Sequence, residues 1–190
     1  MDPGLERELV ARLRRGDGDA FDAIYGAYRG PVYGFLARMS GRRDLAEELL
    51  QETFVRLGAR ATGLAEDTRV GAWLFTVARN LHVSHVRMTM LDAARVDRAA
   101  LEEQPRTATP FEEVSAGQTR ARLEEALARL PETYREVLLL VAVERMEPSE
   151  AAAVVGVTAE TLRQRLSRAR TMMRDALADA PARAAGGSKR

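Results

Sequence analysis

Apolar residues recur at three- and four-residue steps through the N-terminal half of the chain, the spacing that builds one face of an α-helix. The first run, from Phe21 to Met39, contains Gly30 and Pro31, a pair that can kink a helix, and ends before Gly41. A second amphipathic run covers residues 42–57, and a third, over residues 70–87, follows a loop at 58–69. The alternation typical of strands is almost absent. The pattern predicts a helical N-terminal domain.

The C-terminal part of the chain is also helical in pattern, with stretches over residues 119–130, 131 to about 145 and 148 to about 177. Pro131 suits the first turn of a helix, Gly156 breaks the last stretch, and Thr158 can cap a new helix after it. We therefore predict an all-α fold of two small helical domains, residues 1–88 and 119–180.

The segment between the two domains, residues 89–118, differs in composition from both of them. It contains two prolines and few apolar residues, which is typical of a flexible linker. It is acidic, carrying Glu102, Glu103, Glu112 and Glu113. The last ten residues, 181–190, are predicted to form a disordered tail.

Composition excludes several classes of function. The chain has 190 residues, no cysteine and only two histidines, which excludes disulfides, thiolate metal sites and a zinc centre built from histidine alone. It contains no nucleophile–base pair and no phosphate-binding glycine loop, so we expect no enzyme, no cofactor and no metal. No apolar run reaches about eighteen residues and the N-terminus is polar, which predicts a cytoplasmic protein without membrane insertion.

Positive charge is concentrated in "TAETLRQRLSRARTMMRD", residues 158–175, which holds five arginines although the whole chain has a net charge of only +1. On a helix, the apolar positions make an inward stripe of Leu162, Leu166, Ala169, Met173 and Leu177. The outward face has few acids, since Glu160 is the only one between Thr158 and Arg174. An Ala-rich helix and a glycine turn precede it, which predicts a helix-turn-helix whose second helix enters the DNA major groove.

The residues on the outward face have chemistry that suits DNA. The fork of Arg163 or Arg168 can read guanine, Gln164 can read adenine, and Arg165 and Arg170 can hold phosphates. A structural helical hairpin with a solvated basic face gives the same local pattern, so the segment alone leaves both interpretations open.

The rest of the chain favours DNA binding through a family resemblance. The stretches "DAFDAIYGAYRGPVYGFLAR", "DLAEELLQETFVRL", "WLFTVARN", "LARLPETYREVLLL" and "GVTAETLRQRLSRAR" resemble, in order and spacing, the extracytoplasmic-function (ECF) sigma factors of bacteria. The resemblance covers about residues 17–178. It implies a promoter-specificity subunit of RNA polymerase, whose N-terminal domain binds the core enzyme and opens the minus-10 element while the C-terminal domain reads the minus-35 element.

The resemblance also implies three sets of site residues. The set facing the β′ clamp helices of the polymerase core is Asp44, Glu48, Leu49, Gln51 and Glu52. The minus-10 set is Trp73, Arg79, Asn80 and Arg87, in which Trp73 is equally suited to anchor the core. The minus-35 set is Thr161, Arg163, Gln164, Arg165, Ser167, Arg168 and Arg170. The loop at 58–69 corresponds to the family's base-capturing loop.

The implied partners are the RNA polymerase core, through its β′ clamp helices and β flap, promoter DNA and an anti-sigma factor, with a monomeric free chain. The sequence departs from the family pattern at His82 and Ser84 and at Glu147 and Pro148, where the first helix of the helix-turn-helix lacks a strong cap. The alternative is a stand-alone helix-turn-helix regulator. That alternative explains the C-terminal domain but leaves "AEELLQETF" and "WLFTVARN" without a role.

Overall fold

Helices account for nearly all of the regular structure in the computed structural model, which describes residues 1–95 and 117–178. Over these ranges there is no strand, and the all-α prediction is confirmed. The helices are α1 (Pro3–Arg14), α2 (Gly18–Ser40), α3 (Arg43–Arg60), α4 (Val70–Arg95), α5 (Gly117–Arg129), α6 (Glu132–Leu138), α7 (Pro148–Val155) and α8 (Ala159–Ala178). None of these helices combines the length and the apolar character that crossing a bilayer requires.

Helix α1 was not predicted from the sequence. The Asp2 carboxylate caps it by accepting hydrogen bonds from the backbone N–H groups of Gly4, at 2.8 Å, and Leu5, at 3.1 Å. Its inner face buries Leu9 and Leu13 against α2 and the turn after α3. The helix thus completes the N-terminal domain.

Helices α2, α3 and α4 form the core of the N-terminal domain. Helix α2 continues through Pro31 and ends at Gly41, which adopts the left-handed conformation with φ 68°. The rings of Phe35 and Phe75 meet edge to face, with centroids 5.5 Å apart. Helix α4 extends to Arg95, so the first residues assigned to the linker are helical.

Most of the predicted linker and the predicted tail lie outside the part of the chain that the structure describes. Residues 96–116, with their four glutamates, and residues 179–190, with the predicted tail, lie outside the described residues. Helix α5 begins at Gly117.

The C-terminal domain contains the predicted helix-turn-helix. Pro131 directly precedes α6, which continues into a π-helical turn at Leu139–Val143. Helix α7 has no side-chain cap, as predicted. Gly156 ends α7 in the left-handed conformation, with φ 71°, and the Thr158 hydroxyl accepts a hydrogen bond from the Thr161 backbone N–H at 3.1 Å.

The two helical domains pack directly against each other, an arrangement that the sequence did not predict. Helix α7 lies on α4, and α5 and α6 lie on α2, so the buried residues form one continuous hydrophobic core. Arg135, only 4% exposed, joins the domains at one point. Its guanidinium donates to three carbonyls around the end of α5 (those of Leu127, Ala128 and Leu130) and to two near the end of α2 (those of Arg38 and Met39), at 2.7–3.3 Å.

Candidate nucleic-acid interface

Helix α8 presents a polar, cationic face to solvent. Leu162, Leu166 and Ala169 are buried on its other side, which packs against α5, α6 and α7. The inward stripe predicted from the sequence is therefore confirmed at these three positions. The exposed face carries Arg163, Gln164, Ser167, Arg168 and Arg170, whereas Thr161 is half-buried.

One carboxylate neighbours two of the exposed side chains. Glu160, in the first turn of α8, lies 3.0 Å from the Arg163 guanidinium and accepts a hydrogen bond from the Gln164 amide at 3.3 Å. The Arg163 side chain is 69% exposed and that of Glu160 60%. Such solvated pairs contribute about 0–1 kcal/mol, so DNA can replace this one at little cost.

Arg165 differs from the other arginines of α8. Its side chain is 28% exposed, and its Nη1 lies 3.7 Å from Oε1 of the buried Glu136 on α6. The structure therefore places this residue at the edge of the exposed face, between α8 and the neighbouring helix.

Helix α4 holds the four residues of the predicted minus-10 set in different environments. Asn80 and Arg87 are exposed. Trp73 is half-buried and packs against the hydrophobic core, the anchoring role considered for it from the sequence. Arg79 is 20% exposed and donates to Glu136 of the C-terminal domain, at 2.8 Å from Nε to Oε2. The four side chains thus do not form one free surface.

His82, on the same helix, is also directed at the C-terminal domain. The ring is almost fully buried, and its Nε2 lies 2.9 Å from Oε1 of Glu132. Burial lowers the pKa of His82, and the Glu132 carboxylate opposes that shift. Its Nδ1 is buried without a hydrogen-bond partner among the described residues. His82 therefore belongs to the contact between domains, while Ser84 remains exposed.

Helix α3 carries the predicted polymerase-facing set. Asp44, Glu48 and Gln51 are exposed, and Glu52 forms an ion pair with Arg56 one turn later, at 2.7 Å. A hydrogen bond from Arg42, together with the backbone N–H of Leu45, lowers the pKa of Asp44 to about 2, so its charge persists at physiological pH. Leu49, however, is 6% exposed and lies in the hydrophobic core. Its spacing from Leu45 puts it on the inner face of α3, beneath the exposed members of the set, and its place in that set stays a prediction.

A buried glutamate that the sequence analysis did not single out positions the start of α4. Glu6 is 4% exposed and accepts hydrogen bonds from the Gly71 backbone N–H at 2.9 Å, Arg69 Nε at 3.2 Å and the Tyr28 hydroxyl at 3.3 Å. Burial, with the Glu6 carboxylate beside the hydroxyl, raises the pKa of Tyr28. The sequence does indicate the burial of Glu6, because position 6 lies on the same helical stripe as Leu9, Val10 and Leu13.

The predicted base-capturing loop is shorter than expected. Helix α3 continues to Arg60 and a short 3₁₀ turn follows at Ala61–Gly63, where Ala61 and Leu64 are buried. The exposed part of the loop is therefore centred on residues 65–67.

Comparison with known families gives two matches. The family model described as Sigma-70 region 2 matches residues 24–90, which cover α3 and most of α2 and α4. The model described as Sigma-70, region 4 matches residues 120–173, from α5 into α8. One match falls in each helical domain, and α1 and the start of α2 lie outside the region 2 match.

Curated relatives extend the match across both regions. The ECF RNA polymerase sigma factor SigM of Bacillus subtilis is 31% identical over 159 residues, covering 80% of this chain and 92% of SigM. The chain belongs to the ECF RNA polymerase sigma factors. It is therefore a transcription initiation factor and not an enzyme, as predicted.

A second relative and a solved structure agree with this membership. The ECF RNA polymerase sigma factor BldN of Streptomyces coelicolor is 32% identical over 160 residues, and this sigma factor spans 78% of its own length but 57% of BldN in that match. The fold resembles that of the sigma factor RpoE of Bartonella quintana, solved in complex with the anti-sigma factor NepR, with a TM-score of 0.71 and 24% identity. The match covers 85% of this sigma factor and 98% of RpoE.

Proposed function

We propose that this sigma factor binds the RNA polymerase core and directs it to promoters by reading two DNA elements with its two domains. Residues 1–88 dock on the core and read the minus-10 element, and residues 119–180 read the minus-35 element. The observation that carries the proposal is the opposite charge of two exposed helix faces, acidic on α3 and basic on α8, within the two matched family regions.

The acidic face of α3 is the proposed docking surface for the β′ clamp helices. Its exposed residues Asp44, Glu48 and Gln51, with the partly exposed Glu52, suit a basic partner helix. The substitution Glu48→Arg should weaken core binding by roughly tenfold or more, because a like charge then faces the partner. Glu8→Arg, on the exposed side of α1, makes the same charge change away from this face and should leave core affinity unchanged.

The exposed face of α8 is the proposed reader of the minus-35 element. Arg163, Gln164 and Arg168 point away from the domain core, where they can reach base edges in the major groove. Arg170, Ser167 and Thr161 supply further contacts, and Arg165 can turn from Glu136 to a phosphate.

Helix α4 is the proposed reader of the minus-10 element. Asn80 is exposed for a polar contact to an unstacked base, and Arg79 and Arg87 can hold phosphates of the unwound strand. Trp73 is half-buried and packs against the core beneath this surface.

Regulation by an anti-sigma factor is part of the proposal. The fold of this chain resembles that of RpoE, which has been solved with its anti-sigma factor. In this proposal the free chain is monomeric, acts in the cytoplasm, where the polymerase is, and contacts the β flap through its C-terminal domain.

Run-off transcription with purified core polymerase on genomic fragments tests the proposal. Core plus this chain should start transcripts that core alone does not. If no such transcript appears on any fragment of a complete library, the proposed function is wrong.

A stand-alone DNA-binding regulator is the second candidate, favoured only by the helix-turn-helix of α7 and α8. Such a regulator binds a duplex operator tightly without polymerase. Gel-shift selection from the same genomic fragments, with and without core, separates the two candidates, because the sigma factor should select fragments only when core is present.

A further inference from the structure

Helix α1 is joined to the loop between α3 and α4 at two separate points. At the first, Nη1 of Arg14 lies 2.8 Å from Oε1 of Glu66, in the exposed middle of the loop. At the second, the buried Glu6 accepts hydrogen bonds from Arg69 and from the backbone N–H of Gly71, where the loop ends and α4 begins. Positions 6 and 14 lie about 12 Å apart along a helix, so α1 runs beside the loop from its middle to its end.

The two members of the first pair differ in burial. The side chain of Arg14 is 29% exposed, whereas that of Glu66 is 85% exposed. Arg14 Nε is buried and has no hydrogen-bond partner among the described residues, so part of the guanidinium lies beneath the surface of the domain. The fold therefore fixes the arginine, and the arginine in turn holds the exposed carboxylate.

The other basic side chains at this end of α1 have different surroundings. Arg12 donates to Asp17, in the turn before α2, at 2.8 Å from Nε to Oδ2. Arg15 is exposed. Arg14 differs from both, because its partner lies in a distant part of the chain. Its pair with Glu66 therefore constrains the loop relative to α1, and not α1 itself.

The base of the loop is already fixed by apolar packing. Ala61 and Leu64 are buried, and the 3₁₀ turn at Ala61–Gly63 contacts α1. Residues 65–67 are exposed and gain no such support from the core. Arg14 therefore acts on the part of the loop whose position packing determines least.

We propose that Arg14 is a positioning residue for minus-10 recognition, which acts through Glu66 to hold residues 65–67 in the arrangement that receives an unstacked base. The inference deepens the proposed function and rests on it in one respect, the assignment of this loop to base capture. A loop that moves freely loses conformational entropy each time it binds, whereas a loop that is already held loses less. Arg14 itself makes no contact with DNA in this proposal.

The effect on the loop can be measured in the free chain, which contains no cysteine. A spin label on Asp67→Cys reports the mobility of the loop beside the pair. The label should move faster when Arg14→Ala is added. Arg15→Ala, which removes the same charge from the exposed residue that follows α1, is the matched control and should leave the spectrum unchanged. Exchange of the two charges, Arg14→Glu with Glu66→Arg, should restore the slower motion.

Base capture is measured with holoenzyme on a pre-melted promoter taken from the run-off experiment. Each base of the non-template strand in the minus-10 element is removed in turn, which leaves an abasic site. In wild type we expect one position at which this removal weakens binding most, because the pocket contacts of an extruded base are lost there. In Arg14→Ala the penalty at that position should shrink by about three- to fivefold, while the penalties at the other positions stay the same.

Substitution of Glu66 separates positioning from a simple effect of charge. Positioning predicts that Glu66→Gln reduces the abasic penalty as Arg14→Ala does, that the two substitutions together add little, and that the charge-swapped double variant recovers. If Arg14 only offsets the negative charge of Glu66 near DNA, Glu66→Gln should strengthen binding on every template. If Glu66 contacts the base directly, the charge-swapped variant should not recover. Either of the last two results overturns the inference.

Equal loop mobility in Arg14→Ala and Arg15→Ala also overturns the inference, as does a loss of binding in Arg14→Ala that is the same on all templates, which is what a general loss of stability produces. Failure of the proposed function is distinguishable, because it shows in the wild-type chain as the absence of any transcript or of any sensitive position, and the inference then fails with it. Failure of the inference alone leaves the wild-type pattern in place, with Arg14→Ala identical to wild type.

Discussion

Arg79 on α4 and Arg163 on α8 have the same side chain and opposite availability. Arg79 is 20% exposed and bound to a carboxylate that is itself 5% exposed, whereas Arg163 is 69% exposed and pairs with a solvated glutamate in its own helix. A desolvated ion pair between domains is costly to break on one side, while a surface pair exchanges readily. Because both residues are arginines, the difference lies in their positions in the fold, which decide whether each guanidinium is free to contact DNA.

The largest expected effect comes from removing the residue that joins the two domains. Arg135→Ala removes one donor from each of five buried or partly buried backbone carbonyls, of which, in the described part of the chain, only that of Leu127 also accepts a hydrogen bond from a backbone N–H, that of Leu130. We expect a loss of about 3–5 kcal/mol in the free energy of unfolding, measured by urea denaturation. This substitution would erase the difference between Arg79 and Arg163 by releasing the domains.

Two further substitutions serve as controls for the Arg135→Ala prediction. Arg135→Lys should recover only part of the loss, because one ammonium group cannot reach carbonyls of both domains. Arg129→Ala, at an exposed position of α5, should change stability by about 0.5 kcal/mol or less. Equal stability of the Arg135→Ala and Arg129→Ala variants would contradict the joining role.

The next largest effect is expected from the removal of Glu6, which positions the start of α4, the helix that carries Arg79. Glu6→Ala leaves the buried Gly71 N–H and the Tyr28 hydroxyl without their acceptor, which should cost about 2–3 kcal/mol. Hydrogen exchange at the Gly71 amide should accelerate, while exchange in α8 remains slow. Unchanged exchange at Gly71 would count against the role of Glu6 at the start of α4. Glu8→Ala, at an exposed position on the same helix, is the control.

Substitution of Arg163 tests whether this exposed arginine of α8 contacts a base. In holoenzyme, Arg163→Ala should cost about 1–3 kcal/mol at one minus-35 base pair if the side chain reads a guanine. Arg170→Ala should weaken binding equally on all promoter sequences, as expected for a phosphate contact. Binding measured on a set of single-base-pair variants checks both. A uniform loss for Arg163→Ala would reassign it to a phosphate.

The smallest effect concerns Glu144, which faces Arg38 of the other domain. Burial raises the pKa of Glu144 from 4.5 to about 7, and Arg38 opposes the shift. A raised carboxyl pKa favours the folded state at low pH, and this stability is lost as pH rises through about 7.

Glu144→Gln removes this pH dependence. Thermal unfolding should show the variant equal to wild type near pH 4 and more stable by about 1 kcal/mol near pH 8, after allowance for partial solvent exposure. A stability difference that is the same at both pH values would contradict the burial of this carboxyl.

The local features of the fold were predictable because they depend on neighbours in sequence. Spacing of three and four residues predicted the inner faces of α3 and α8, and Gly156 with Thr158 predicted the turn between α7 and α8. Helix α1 was not predicted although Asp2 and Pro3 are ordinary start signals, because it is short and mostly polar and so has a weaker apolar pattern than the helices that follow.

The contact between the domains could not be predicted from the sequence. Its pairs join residues as far apart as Arg38 and Glu124, and no spacing rule relates an arginine on one helix to a glutamate in another domain. The sequence therefore predicted that Arg79 and Arg165 lie on helices, but it could not predict that both lie beside the same carboxylate, that of Glu136.

DNase footprinting of reconstituted holoenzyme tests most directly whether the two helices read two promoter elements. Core plus wild-type chain should protect an upstream and a downstream element, with Arg163→Ala weakening protection of the upstream one and Arg79→Ala that of the downstream one. Protection no different from that of core alone, or loss of both elements together in each variant, would contradict the assignment of α4 and α8 to separate elements.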